Sequence, residues 1–379
     1  PLDADGRIEV VASRLPGVDL GAGAPDVPRA LYSRSLLAAA SQGEVAELSD
    51  TTGGDAISQS IVQMHINSAI CVPLMLGATT AAYLYLDSRS PSGSRLRTLR
   101  AGASAFCLAL GRMASLALSN LKRIDIERRQ AMFEAELSAG AEAQRWILPR
   151  RQGTFGLLAY VGESRPGRYV GGDFFDVIPL GESKLAVALG DVSGKGIPAS
   201  VLMTATQGFL HAALQEHAEP GKAVSALNRF INPRRPESKF VTMWVGVFDL
   251  AAGTLTYVDA GHGYGLLLNA DGTYDTLDAG GGLPVGVMDT WTYEATTVWL
   301  KPGGRALVVS DGIVEQLVND TDPTTGEPTK RQFELDGVRD ALRDTTAGAD
   351  EVAALFQTLF DQAGTKDLSD DATAVLVRW

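Results

Sequence analysis

The sequence has few of the residues that form covalent or soft-metal cross-links. It contains two cysteines, Cys71 and Cys107, and four histidines among 379 residues. Each cysteine lies in an apolar segment and neither has a CxxC partner, which argues against a disulfide framework and against a zinc site. We therefore expect two reduced core thiols in a cytoplasmic protein.

Positive charge and long apolar runs are also scarce. Lys and Arg number 33 against 45 Asp and Glu, for a net charge of -12. Because a nucleic-acid surface requires clustered Lys and Arg, we expect no nucleic-acid partner. No run of 18 apolar residues occurs, which predicts that no segment spans a membrane and that the protein has no membrane partner.

Three familiar catalytic motifs are absent or incomplete. There is no G-x-S-x-G, so a serine hydrolase is unsupported. In "GDVSGKG" the lysine is followed by Gly196 rather than Ser or Thr, so the segment is not a nucleotide P-loop. Gly171-Gly172-Asp173 is close to the GGDEF signature of enzymes that make cyclic dinucleotides, but Phe174 stands where that signature needs an acidic residue. A nucleotide cyclase is therefore not predicted.

Composition predicts three domains. Residues 1–93 mix short strands and loops: "GRIEVVASR" predicts a strand, and "AICVPLML", Gly77 and "TTAAYLYLD" predict a hairpin of buried strands. Residues 94–148 contain no proline and are rich in Ala, Leu, Arg and Glu, which predicts a long helical linker. Residues 149–379 alternate strands with helical segments. The chain begins at Pro1 rather than Met, and we expect the natural protein to extend beyond this end.

The linker carries a seam of residues spaced alternately by four and three. The seam residues are Leu99, Ala103, Phe106, Leu110, Met113, Ala117, Asn120 and Ile124. This heptad pattern predicts a parallel two-helix coiled coil, and hence a homodimer, in which Asn120 sets the register. The alternative is a helix that packs on its own domain. After Ile124 the apolar stripe changes phase, which predicts a kink or a break.

The last domain has the pattern of an α+β fold. Helical segments at about 198–216, 221–231 and 350–363 lie between apolar strands. Hairpin-linked strands with inserted helices predict a sandwich with an antiparallel sheet. The predicted strands are "GLLAYV", "FFDVIPL", "KLAVALGDV", "VTMWVGVFDL", "GTLTYVDAG", "GLLLNA", "YEATTVWL", "RALVVSD" and "ATAVLVRW".

Two carboxylates lie at the ends of neighbouring strands in this domain. Asp173 precedes the strand "FFDVIPL", and Asp191 ends the strand that follows the turn. Pairing the hairpin about its turn places the two residues opposite each other. Like charges side by side are costly unless a cation lies between them. Asp176 alternates to the other side of its strand from Asp173, so it is a weaker candidate ligand.

Further carboxylates occupy other strand ends. Asp311 follows the apolar strand "RALVVS", and Asp370 and Asp371 precede "ATAVLVRW". An isolated aspartate of this kind is more often a turn residue or a helix cap. Several at strand ends of one domain predict a site with oxygen ligands alone, which suits Mg²⁺ or Mn²⁺ rather than Zn²⁺.

An ordered set of motifs resembles a known family. In sequence order they are "QRWILP", "VGGDFFDV", "GDVSGKGIPASVLM", "FVTMWVGVFD", "AGHGYGLLL", "GGLPVGV", "PGGRALVVSDGIVE" and "DDATAVLV". This order, over about residues 144–379, is similar to that of PPM-type serine/threonine phosphatases and matches their bacterial SpoIIE-type branch. The resemblance implies an α/β sandwich of two antiparallel sheets flanked by helices.

The resemblance also implies an active site with two Mn²⁺ or Mg²⁺ ions. The implied metal ligands are Asp173, Asp191, the carbonyl of Val192, Asp311 and Asp370. In this scheme Asp191 bridges the ions, and Asp191 and Asp311 act through a metal-bound water that attacks phosphorus. No nucleophilic Ser or Cys is expected. Asp370 and Asp371 both stay open as the direct ligand, and the family pattern favours Asp370.

This sequence departs from the family pattern at two points. The arginine that grips phosphate in eukaryotic relatives has no clear match, and Arg168 near the motif is not favoured for that role. "AGHGYG" has glycines where the branch usually has a proline-rich turn, so we interpret His262 as structural.

The resemblance extends to partners and regulation. It implies a substrate of the STAS type, a phosphorylated anti-sigma-factor antagonist. The run "CVPL…G…LYLD" in residues 1–93 resembles a GAF sensory domain, which either binds an unknown small ligand or serves only as a dimer platform. We expect this domain to regulate the phosphatase. The alternative is a catalytically weak, phosphatase-like module that docks a phosphoprotein without releasing phosphate.

Overall fold

The computed structural model describes residues 32–48, 66–89, 102–167, 170–236, 238–279, 281–321, 327–343 and 350–379. The strand predicted over "GRIEVVASR", the seam residue Leu99 and Arg168 lie outside these ranges. The chain forms two compact units, residues 1–132 and 133–379. The division into three domains at residues 93 and 148 stays a prediction.

The first unit contains a small antiparallel sheet. Its described elements are α1 (Arg34–Ala40), β1 (Ala46–Leu48), β2 (Ile66–Leu76) and β3 (Thr79–Arg89), with strand order β1-β2-β3. The predicted hairpin is confirmed: it turns at Gly77, whose φ of 64° is in the left-handed region that favours glycine. Both cysteines are free and buried, and burial raises the pKa of Cys71 to about 11. The likeness of this unit to a GAF domain stays a prediction.

The linker forms one continuous helix, α2 (Ala103–Arg145), of 43 residues. The sequence predicts either a kink or a break after Ile124, and the break is therefore wrong. One face of the first half packs on β2: a Cβ at Gly111 would lie 2.4 Å from Cγ1 of Val72, and Ser115 Oγ accepts the N–H of Met75 at 2.9 Å. The helix thus packs on its own unit, as in the alternative interpretation.

From Phe106 onward, the residues of the heptad seam lie on a different face of α2 and are exposed in the single chain. Phe106 is 66% exposed and Met113 is 69% exposed. By length and composition alone this helix is also apolar enough to cross a membrane. A single helix of that kind is weak evidence, because the buried core helix of a soluble protein and a signal sequence pass the same test. The coiled coil, the homodimer and the absence of a membrane partner stay predictions.

The second unit is built on two sheets in which all strand pairs are antiparallel. The first has, in spatial order, β11 (Tyr274–Thr276), β10 (Gly265–Leu268), β13 (Arg305–Val309), β16 (Ala372–Arg378), β5 (Leu158–Arg165) and β4 (Gln152–Phe155). The second has β12 (Thr296–Trp299), β9 (Thr254–Ala260), β8 (Val241–Asp249), β7 (Lys184–Val192) and β6 (Phe174–Leu180). A separate hairpin joins β14 (Leu317–Thr321) to β15 (Pro328–Gln332).

Side-chain alternation along the strands creates four layers. In β7, Leu185 and Leu189 enter the core between the sheets, while Ala186 and Ala188 face the helices. Those helices are α3 (Ile197–His217) and α4 (Pro220–Ile231). Leu307 of β13 faces the opposite helices, α6 (Glu334–Arg343) and α7 (Glu351–Ala363). Each fully buried aliphatic side chain contributes about 1.5–3 kcal/mol. The predicted sandwich of two antiparallel sheets flanked by helices is confirmed.

Local signals define the helix ends. Glu219 caps α4 by accepting the N–H groups of Gly221 and Lys222. Asp350 caps α7 by accepting the N–H of Ala353, and Gly364 ends that helix in the left-handed conformation. Such signals explain why the predicted helical ranges agree with the structure to within one or two residues.

Candidate active site at the strand ends

The hairpin of β6 and β7 places Asp173 and Asp191 at the same end. The register pairs Phe174 with Gly190, so the residues just beyond that pair face each other. This is the register that the sequence predicts. The ring of Phe174 fills the space beside Gly190. A Cβ at position 190 would lie 2.6 Å from that ring, so only glycine fits there.

Asp173 is a buried carboxylate without a partner. It is 3% exposed, and no hydrogen bond of normal geometry reaches either of its oxygens. Burial raises its pKa well above the ordinary value, and the charge of Asp191 raises it further. The hydroxyls of Ser310 and Thr373 lie near enough to offset part of that rise. An unpaired buried carboxylate is costly, so this position requires a proton or a cation.

Two further carboxylates, Asp311 and Asp370, lie near enough to Asp191 to raise its pKa. Burial, followed by the charge of Asp311, raises the pKa of Asp191 to about 7. Burial also raises the pKa of Asp311, and Asp370 adds to that rise. Asp311 begins the short helix α5 (Asp311–Val314), directly after β13. The structure therefore brings strand ends from both sheets to one acidic rim.

Asp371 has different hydrogen-bond partners from its neighbour Asp370. Its Oδ1 accepts the N–H of Gly167 at 2.8 Å, and its Oδ2 accepts the N–H of Gly172 at 2.5 Å. Both oxygens are thus engaged with the segment that leads to Asp173. Asp370 directs Oδ2 to the ammonium of Lys195 at 2.8 Å instead.

Two glycines permit the close approach of backbone at this rim. A Cβ at Gly312 would lie 1.9 Å from the carbonyl oxygen of Asp371, which leaves no room for any side chain. A Cβ at Gly172 would lie 2.8 Å from the carbonyl oxygen of Val192. The glycine before Asp173 therefore serves the packing of two chain segments.

The turn after β9 is fixed by hydrogen bonds. Asp259 accepts the N–H groups of His262 and Gly263 at 2.6 and 2.8 Å. The ring of His262 donates from Nε2 to the carbonyl of Val309 at 2.8 Å. Burial lowers the pKa of His262 to about 4, so the ring is neutral. These contacts secure the end of β13, and they agree with a structural place for His262.

Asp176 faces away from the rim. It is buried, and its Oδ2 lies 2.9 Å from Nδ1 of His211 on α3. The alternation of side chains along β6 thus separates it from Asp173, as the sequence predicts.

The acidic rim is not closed into a coordination shell. Among the residues that the structure describes, no group of three or more His, Cys, Asp or Glu side chains lies close enough to hold a metal ion as it stands. The donors nevertheless fit a hard divalent cation, because they are oxygen atoms and because the buried carboxylate of Asp173 lacks a partner.

Sequence reasoning missed three contributors to this rim. Ser310 and Thr373 are fully buried and exchange hydrogen bonds between β13 and β16. In the sequence alone, Lys195 is marked only as part of an incomplete P-loop. No local pattern identifies these residues, because each acquires its place through contacts with distant segments.

Comparisons with known proteins show one matching family and several similar proteins. The family described as Stage II sporulation protein E (SpoIIE) matches residues 181–379. "Phosphoserine phosphatase RsbU" of Bacillus subtilis is 27% identical over 187 residues, which are 49% of this chain and 55% of that protein. "Protein IcfG" of Synechocystis is 24% identical over 279 residues, which are 66% of this chain and 42% of that protein. The chain thus spans about half the length of these relatives.

A solved structure shows the same fold. The "SiaA-PP2C domain of Pseudomonas aeruginosa" superposes with a TM-score of 0.57 at 20% identity and covers 66% of this chain and 98% of that chain. The likeness extends to nearly all of that domain, so the two proteins share a fold.

Proposed function

Since this chain belongs to the SpoIIE family of PPM-type serine/threonine phosphatases, we propose that it releases phosphate from phosphoserine and phosphothreonine in a regulatory protein, with Mn²⁺ or Mg²⁺ as cofactor. One observation carries the proposal: the buried, unpartnered carboxylate of Asp173 faces Asp191 at a rim that also holds Asp311 and Asp370. Four carboxylates gathered at strand ends need positive charge, and a phosphatase of this family uses two divalent cations.

We propose that Asp173, Asp191, the carbonyl of Val192, Asp311 and Asp370 hold these ions. The engagement of both Asp371 oxygens by backbone N–H groups supports Asp370 as the ligand of the pair. When bound, the ions supply Lewis acidity toward phosphoryl oxygens and toward water.

The protein's own residues hold the proposed ligand groups in position before any metal ion binds. The β6–β7 hairpin sets Asp173 against Asp191 across a fixed register. Close packing of Gly172 on the carbonyl of Val192 holds that carbonyl at the rim. Ser310 ties the start of β16 to the end of β13, and so keeps Asp311 near Asp370. No side-chain nucleophile is required, so we propose hydrolysis without a covalent phosphoenzyme.

Phosphate release tests the activity. We expect release from a phosphoserine peptide with Mn²⁺ but not with EDTA, and a loss of about 10²–10³-fold in kcat for Asp311→Asn, because a charged ligand is removed. Glu315→Gln is the matched control, since Glu315 lies in the next turn and also influences the pKa of Asp311. Equal release in EDTA, or equal loss in both variants, would contradict the proposal.

The same assay separates the enzyme from the docking alternative. A docking module would retain a phosphopeptide without releasing phosphate at any Mn²⁺ concentration. The similarity to a protein named as a phosphoserine phosphatase favours the enzyme. A phosphorylated STAS-type antagonist of an anti-sigma factor is our proposed substrate, which the family resemblance implies.

Regulation by the N-terminal unit is part of the proposal. We propose a cytoplasmic homodimer joined through α2, in which a change in the GAF-like unit is transmitted along that helix. The uncovered apolar seam supports this arrangement. Removal of residues 1–93 should then change the rate or the metal affinity, and unchanged values of both would count against control by this unit.

A further inference from the structure

The loop between β7 and α3 carries a lysine into the acidic rim. Gly194 and Gly196 have φ values of 83° and 80°, in the left-handed region. Between them, Lys195 places its Nζ 2.8 Å from Oδ2 of Asp370 and 2.9 Å from the carbonyl oxygen of Ser369. Lys195 thus links the loop after β7, in one sheet, to the residues just before β16, in the other sheet.

The ammonium of Lys195 pairs with Oδ2 of Asp370, an oxygen that the proposed metal site needs as a ligand. The positive charge of Lys195 lies against Asp370, so the lysine offsets part of the repulsion among the carboxylates of the rim. Oδ2 of Asp370 is therefore directed at Lys195, 2.8 Å from its Nζ.

The pair is exposed enough to be broken. The side chain of Lys195 is 57% exposed and that of Asp370 is 43% exposed. Ion pairs at this level of exposure are weak because water screens them. A divalent cation would bring twice the charge to the same carboxylate and would also neutralise the neighbouring carboxylates, so it would outcompete the ammonium.

We propose that Lys195 is a built-in counterion of Asp370, which a divalent cation must displace in order to bind. The inference rests on the proposed function, since it assigns Asp370 to the metal site. Lys195 is a positioning residue in this scheme: it stabilises the rim without metal and lowers the metal affinity of the rim. It takes no part in breaking the phosphate ester.

Mn²⁺ binding to the full chain tests this directly, with free Mn²⁺ followed by electron paramagnetic resonance at one ionic strength. We expect Lys195→Met to bind Mn²⁺ about tenfold more tightly, because both the competing ion and its repulsion are removed. Lys195→Arg keeps a competing cation and should stay within about twofold of the parent protein.

Lys366→Met is the control for net charge. Lys366 is an exposed lysine four positions before Asp370 in the same segment, so its removal changes the total charge equally without touching the ion pair. We expect its Mn²⁺ affinity to stay within about twofold of the parent value. Circular dichroism in EDTA verifies that each variant is folded.

The outcomes separate this inference from the proposed function. Unchanged or weaker Mn²⁺ binding by folded Lys195→Met overturns the counterion role, as does equal tightening in Lys366→Met. The absence of Mn²⁺ binding in the parent protein also overturns it. Tighter binding in Lys195→Met alone supports it even if no phosphate is released from any substrate, a result that would reject only the proposed activity.

Discussion

At the scale of single residues, aspartates that are close in sequence have different partners and therefore different roles. Asp370 faces the ammonium of Lys195, while both oxygens of Asp371 hold the backbone before Asp173. Asp173 has no partner, whereas Asp176 lies against His211. The residue type therefore does not decide the role. The role follows from which donors the fold brings to each carboxylate.

His262 allows a residue-scale prediction about acid stability. Its pKa in the folded state is about 4, below the ordinary value near 6.5. Between these values the unfolded chain binds a proton that the folded state does not, so the contribution of His262 is complete above about pH 6.5 and is lost as pH falls toward 4. We expect His262→Gln, which keeps a donor for Val309 but cannot charge, to reduce the loss of stability in acid by up to ~3 kcal/mol.

Urea unfolding at about pH 4.5 and about pH 7 measures this difference. His217→Gln is the control, because His217 is exposed at the end of α3. Parallel profiles for the parent and His262→Gln would show that the buried ring does not cause the acid sensitivity.

At the scale of elements, the predictions succeeded where apolar periodicity is strong. The strands β6 and β7 have the bounds that the sequence predicts, and the register of their hairpin agrees as well. The helix α6 was missed because it is short and carries Gly337 in its interior, which lowers helix propensity. The hairpin β14–β15 was missed because nearly all its residues are polar or exposed, so no alternation marks it.

The helix α2 carries an element-scale prediction about oligomeric state. If its exposed seam pairs with a second copy, the parent protein is a dimer, and Met113→Glu should shift it toward monomer by placing like charges in the seam. Ile126→Glu is the matched control, since Ile126 is exposed on the same helix outside the seam. Light scattering after size exclusion gives the masses. A monomeric parent protein would remove the premise.

At the scale of the whole molecule, the acidic rim depends on both sheets. β6 and β7 supply Asp173 and Asp191, while the strands β13 and β16 of the other sheet supply Asp311 and Asp370. Packing of the two sheets through a shared apolar core holds these charges together. The core therefore sustains a repulsion that a bound cation would relieve.

Cation binding should accordingly stabilise the whole chain, and more so at higher pH. Without metal, the raised pKa of Asp191, about 7, means that its contribution to stability is present at low pH and lost as pH rises from about 3.8 through about 7. We expect Mn²⁺ at a fixed concentration of about 100 times the Kd at about pH 8 to raise the free energy of unfolding at that pH by ~2.7 kcal/mol, and the same concentration to give a smaller rise in melting temperature at about pH 6. Asp191→Asn should lose this difference. Equal melting in Mn²⁺ and EDTA at both pH values would contradict it.

The sequence by itself determined the strands, the main helices, the hairpin register and the set of aspartates at strand ends, because periodicity and turn residues act over a few neighbouring positions. Only the tertiary structure decided that Asp371 holds backbone, that Asp173 lacks a partner and that Lys195 meets Asp370. Those facts depend on distances between segments up to about two hundred positions apart in the chain. Such distances are set by the packing of the sheets and not by any local pattern.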